Sequence, residues 1–152
     1  RYGASESISV LVGLGADING GVGSEGVTPL MYAIFSGDVE NVRTVISLGA
    51  SIEKRDMNGW TPLMSASASG SVDVLNVLLS EGADIGATMQ GGYSALHVAS
   101  LLGSPENVVA LLNAGADARA RLASGETPFD LAQSNENLQG TGAYWRLNDA
   151  QF

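Results

Sequence analysis

Thr28-Pro29-Leu30-Met31, Thr61-Pro62-Leu63-Met64, Ser94-Ala95-Leu96-His97 and Thr127-Pro128-Phe129-Asp130 begin 33 residues apart each time. A fixed period of this size marks stacked supersecondary units, each too small to bury its own apolar face. A second register agrees with the first. Gly15-Ala16-Asp17-Ile18, Gly49-Ala50-Ser51-Ile52, Gly82-Ala83-Asp84-Ile85 and Gly115-Ala116-Asp117-Ala118 each follow a stretch rich in leucine or valine. From the last three of these to the next opening tetrapeptide is 12 positions, but Gly15 to Thr28 is 13, so the first loop carries one extra residue.

The chemistry of each block assigns its local structure. Threonine at an N-cap accepts a backbone N–H, and proline at the first helical position gives up only a donor that would have been an orphan. Thr28, Thr61 and Thr127 are therefore expected to start short helices; Ser94 also caps, although Ala95 in place of proline predicts a looser start. Gly37, Gly70 and Gly103 are expected to close these helices in the left-handed conformation. The longer helices carry one apolar stripe at i, i+3, i+4 spacing: Ile8, Leu11 and Val12; Val42, Val45 and Ile46; Leu75, Leu78 and Leu79; Val108, Leu111 and Leu112.

The 33-residue period, the T-P-L-H-like openings and the Gly-Ala-Asp exits resemble the ankyrin repeat. The resemblance implies an all-α solenoid of stacked helix-turn-helix units with finger loops, forming one domain over residues 1–152. The expected boundaries are a partial unit at 1–22, full units at 23–55, 56–88 and 89–121, and a C-terminal capping unit at 122–152. Aligning Gly3 with Gly37, Gly70 and Gly103 puts Arg1 and Tyr2 at the end of a helix begun upstream. The residues 143–152 read as a capping helix whose Tyr144, Trp145 and Leu147 pack back on the stack, with Arg146, Asn148 and Asp149 facing water.

Composition narrows the function. The 152 residues are 45% apolar and 15% charged, as in a folded domain. A formal charge of −9 repels phosphate backbones and argues against nucleic-acid binding. Lys54, Arg55, Arg119 and Arg121 fall in two finger loops, where solvated surface charge is the expected reading. The absence of cysteine excludes disulfides and thiolate metal sites, and no apolar run reaches the roughly 20 residues of a membrane span. A soluble chain is expected, with a cytoplasmic setting favoured over a periplasmic or secreted one, and no cofactor. A monomer is expected, with self-association possible where a cut through the first unit exposes Ile8, Leu11 and Val12.

The chemistry of catalysis is not assembled. Gly21-Val22-Gly23-Ser24-Glu25-Gly26 matches a dinucleotide fingerprint, but the residues before it do not read as the buried strand that motif requires. The single histidine, His97, reads as a brace at a helix start. Ser65, Ser67, Ser69 and Ser71 read as small residues between helices, with no basic partner to activate a nucleophile.

Proteins that resemble this one hold partner proteins on a concave face made of fingers and short helices. Carried over by repeat position, that face comprises Ser24, Glu25 and Val27; Met57, Asn58 and Trp60; Gln90, Gly91 and Tyr93; Ala123, Ser124 and Glu126. The short helices add Phe35 and Ser36, Ala68 and Ser69, Leu101 and Leu102, and Ser134 and Asn135. Trp60 and Tyr93 share one repeat position and are expected to stand about 10 Å apart, the spacing of packed helices. With Phe35, Met57, Asn58, Gln90, Leu101 and Leu102 they form the expected partner site of a non-catalytic interaction scaffold. The alternative is a recruiting segment of a larger enzyme or effector whose catalytic domain lies upstream.

Overall fold

The computed structural model describes residues 13–69, 71–150 and 152. Arg1, Tyr2, Gly3, Ile8, Leu11, Val12 and Gly70 therefore lie outside the described residues. Among the described residues, α-helices follow in the order α1 (Pro29–Ser36), α2 (Val39–Ser47), α3 (Pro62–Ser69), α4 (Val72–Ser80), α5 (Ala95–Leu102), α6 (Pro105–Asn113), α7 (Pro128–Ala132) and α8 (Gly142–Ala150). A 3-10 turn spans Gln90–Gly92. Among the described residues, extended pairing is confined to isolated bridges between Val22 and Val27 and between Thr88 and Ser94.

The helix starts follow from their first residues. The hydroxyls of Thr28, Thr61 and Thr127 accept the N–H groups of Met31, Met64 and Asp130, each at 3.3 Å. Asp38 caps α2 by accepting from Glu40 and Asn41, and Ser104 caps α6 ahead of Pro105. Each short helix packs on the longer one that follows it, α1 on α2, α3 on α4 and α5 on α6. Short helices also pack on short ones, α1 on α3 on α5 on α7, and longer ones on longer ones, α2 on α4 on α6 on α8.

The apolar stripes form the core. Val42, Val45, Leu75, Leu78, Val108 and Leu111 are buried, whereas Ile46, Leu79 and Leu112, the third member of each stripe, are half-buried at its edge. Met31 and Met64, which stand where His97 stands in α5, are buried too. Ser65, Ser67 and Ser69 return their hydroxyls to the carbonyls of Thr61, Leu63 and Ala66, so these serines are absorbed by their own helix.

Two expectations fail at the helix ends. Gly37 is left-handed, with φ 71°, but Gly103 is extended, with φ −85°. Glycine is required there for proximity instead: a Cβ on Gly103 would lie 2.4 Å from the Ser67 carbonyl oxygen and 2.8 Å from that of Ala99. Asn135, expected on the partner-facing surface, is buried, and its amide donates to the carbonyls of Ser100 at 3.2 Å and Gly103 at 3.1 Å. Asn107 does the same one step earlier, donating to Ala66 at 3.3 Å and Ser67 at 3.1 Å. These amides satisfy carbonyls left open where the preceding short helix ends.

At the C-terminal end, Ala143 and Leu147 are buried and Tyr144 packs against Phe129, with ring centroids 5.0 Å apart. Trp145 does not join them. It is 55% exposed and meets only the edge of Tyr144 among the aromatic rings, because its position on α8 points off the stripe that faces α6 and α7. Arg146 and Asp149 are exposed as expected, and Arg146 also donates to Asn113 at 2.8 Å.

Leu78→Ala and Leu111→Ala are each expected to lower stability by about 2–5 kcal/mol in urea unfolding, since both side chains are fully buried between two helix layers. Asn135→Ala is expected to cost about 1–3 kcal/mol by leaving two buried carbonyls without their donor, and an unchanged urea midpoint would refute that role.

Candidate functional site

Between each longer helix and the next short one the chain makes a hairpin finger closed by its own backbone. In the first finger Val22 N–H donates to the Val27 carbonyl at 2.9 Å and Val27 N–H returns to Val22 at 3.1 Å. Later fingers close one residue tighter: Asp56 N–H to Trp60, Met89 N–H to Tyr93 and Leu122 N–H to Glu126, at 2.9 to 3.1 Å. The extra residue read from the sequence is thus housed in the first hairpin. The Gly21 to Gly26 match is that hairpin, with N–H groups turned onto its own carbonyls instead of gathered towards a phosphate.

Neighbouring fingers are joined. Met57 N–H donates to the Glu25 carbonyl and Ala123 N–H to the Gly91 carbonyl, both at 2.8 Å. Arg55 bridges the Gly59 carbonyl of its own finger, at 2.9 Å, and the Thr88 carbonyl of the next, at 2.8 Å. Arg121 donates to Gly125 at 2.8 Å and Arg119 to the Ala150 carbonyl at 3.3 Å. These three arginines are exposed, as expected of surface charge, and also brace the backbone through these bonds. Arg55 reaches both of its carbonyls with one guanidinium nitrogen, Nη1.

A second set of links runs between loops at the helix exits. The side-chain oxygen of Asn19 accepts Ser51 N–H at 2.7 Å, and Glu53 accepts Asp84 N–H at 2.8 Å. Asn19 and Glu53 occupy matching places in their loops, and so do Ser51 and Asp84. Sequence reading missed these links because an asparagine and a glutamate share no type, only an acceptor oxygen.

The expected partner residues are distributed over this finger and short-helix surface. Met57 is 77% exposed, Phe35 at the end of α1 is 58% exposed and Leu102 at the end of α5 is 55% exposed. Asn58 and Gln90 are exposed at finger tips, and Leu101 is half-buried. Trp60 is half-buried and packed against the core, with its N–H held by Asp56 at 2.9 Å. Tyr93 is half-buried, its ring set edge-on to His97 at 6.2 Å. Each of these two rings therefore covers the interior with one side and faces outward with the other. Tyr32, on α1 and 53% exposed, adds an aromatic that sequence reading did not select. The signal was its type: Ser65, Val98 and Leu131 occupy the same repeat position and are all buried.

Hairpin fingers joined to one another beside stacked helix pairs are the arrangement that the resemblance implied. A family model described as ankyrin repeats matches three copies within residues 1–89 and 55–122. The chain belongs to the ankyrin-repeat family. No curated protein matches it. Ankyrin repeats generally serve as protein–protein interaction modules and are typically non-catalytic. Among the described residues of this ankyrin-repeat chain, no three His, Cys, Asp or Glu side chains gather as metal ligands, and no helix is long and apolar enough to cross a membrane.

His97 is the one side chain of the ankyrin stack suited to proton chemistry at neutral pH, and its geometry fixes what it does. Nε2 faces the Ala120 carbonyl at 3.2 Å and must donate to it, so Nδ1 is left to accept from the Ser94 N–H at 3.3 Å and the Ser94 hydroxyl at 2.8 Å. This brace holds the α5 start where proline is missing. In α7 the carboxylate of Asp130 takes the same role, accepting the Thr127 N–H and hydroxyl, each at 2.8 Å. Those two bonds hold its pKa below the usual carboxylate range.

Burial lowers the His97 pKa below its ordinary 6.5, opposed by the Ala120 hydrogen bond and the charge of Asp117. Protonated Nδ1 would set a donor against the Ser94 N–H. With the folded pKa depressed, the contribution of His97 to stability is whole above 6.5 and is lost as pH falls from there towards the folded value. The urea midpoint is expected to drop between about pH 7.5 and about pH 5.5, and His97→Gln is expected to remove most of that drop. An equal drop in both chains would assign it to other groups.

Proposed function

We propose that this chain is a non-catalytic scaffold that holds another protein on the concave face formed by its fingers and short helices, with Trp60 and Tyr93 as central anchors. The observation that carries the reading is the run of outward apolar side chains there: Phe35, Met57 and Leu102 are exposed, beside the half-buried rings of Trp60 and Tyr93. Surface apolar groups gathered on one face mark contact sites more often than scattered ones do. Asn58, Gln90 and the edge of Leu101 supply the polar and apolar rim of the same surface. The hydrogen bonds between fingers hold it in shape before a partner arrives, so little ordering is left to oppose association.

Affinity capture from native lysate with the wild-type chain and with a Trp60→Ala/Tyr93→Ala variant of equal thermal stability tests this reading. A specific protein retained by the former is expected to lose about 2 kcal/mol or more of binding energy, roughly thirtyfold in affinity, with the latter. Equal capture by both chains would remove Trp60 and Tyr93 from the site.

A further inference from the structure

The outer helices α4 and α6 pack side by side and leave an open trench of about 750 Å³ along their exposed sides. Its walls are two stripes at helical spacing, Val72, Asn76 and Leu79 on α4 and Pro105, Val109 and Ala110 on α6. All but Asn76 are half-buried apolar residues, so the floor presents carbon surface that the protein's own side chains leave partly uncovered. The flanking trenches are built differently. Arg43 and Asp73 line the one between α2 and α4, and Arg146 spans the one between α6 and α8 to reach Asn113.

Charge separates this trench further. Glu106 is its one charged lining residue, and neither Lys nor Arg is among its lining residues. The chain as a whole carries −9, which draws cationic partners from a distance. The backbone sets the form of the occupant. Both walls are helices whose N–H and C=O groups are bonded within themselves, so the trench offers side chains and no strand edge. An extended peptide laid there would leave its own backbone groups against an apolar floor; a helix arrives with them already paired.

We propose that the trench between α4 and α6 docks a cationic amphipathic helix of another protein. Its apolar face lies on Val72, Leu79 and Val109, and a lysine or arginine lies beside Glu106. The nine residues of each wall give a seat about 13 Å long, roughly two and a half turns of the docked helix. This site shares no residue with the finger face, so it stands whether or not Trp60 and Tyr93 hold a partner.

The test uses a fluorescein-labelled peptide of leucine and lysine alone, about 14 residues long, with leucine at i, i+3, i+4 and i+7. Its anisotropy is followed as the whole chain is titrated in. Saturable binding is expected, weakened about tenfold or more by Val109→Lys and by a smaller factor by Glu106→Lys, and weakened by about 1 M salt. Glu106 is exposed and Val109 half-buried, so thermal unfolding checks the fold; should Val109→Lys unfold, Glu106→Lys and amide shift changes mapped onto α4 and α6 carry the test. Trp60→Ala is expected to leave binding unchanged. Absence of saturable binding, equal binding of a leucine and glutamate peptide, or loss with Trp60→Ala and not with the trench variants would overturn the proposal.

Discussion

A helix of eight or nine residues is too short to be stable alone in water, and a pair of them covers only one side of each apolar stripe. The other side must lie on the next pair. Leu75 and Leu78 of α4 are fully buried because α3 covers one side of them while the neighbouring pairs cover the rest. The fingers depend on the same constraint, since they are held in line only by the stacking beneath them. Stability in such a stack resides in the joints as much as in the pairs.

Apolar contact sets the distance between pairs but leaves their offset loose, and polar links fix it. Asn107 and Asn135 both reach the carbonyl of a serine at one repeat position, Ser67 and Ser100, from different places in the chain. At the joint between α1 and α3, Val74 stands where α6 has Asn107, and Glu53 supplies a link through the loop instead. At the next joint Gly86 has no side chain to match Glu53, and Asn107 supplies the link. The arginine braces add a third set at the finger level. Each such bond is directional and becomes unfavourable when stretched, so together they select one offset among the many that oily surfaces allow.

What the sequence made legible was whatever repeats with the period. Threonine caps, apolar stripes and the lengthened first hairpin follow from residue type and spacing, and among the described residues each is found where it was read. What escaped was whatever depends on a neighbour 30 or more residues away. Gly103 looks like another helix-ending glycine, yet the Ser67 carbonyl above it is the reason no side chain fits. Asn135 looks like surface, yet it lies beneath the end of α5. Arg55 looks like a loop charge until Thr88 is placed beside it. The outward apolar residues were legible as types, but exposure separates Tyr32 from its buried counterparts only when the stack is assembled.

The longer first hairpin has a consequence for anything that reads the fingers. A row of identical loops looks the same after a shift by one unit, so a bound chain would have several equivalent seats and no preferred direction. Val22 to Val27 spans one residue more than Asp56 to Trp60, Met89 to Tyr93 or Leu122 to Glu126. That odd tooth breaks the translational symmetry in the backbone itself. One finger of the row is thereby marked, and a ligand spanning it and its neighbours meets a surface with a fixed point of reference and a single sense.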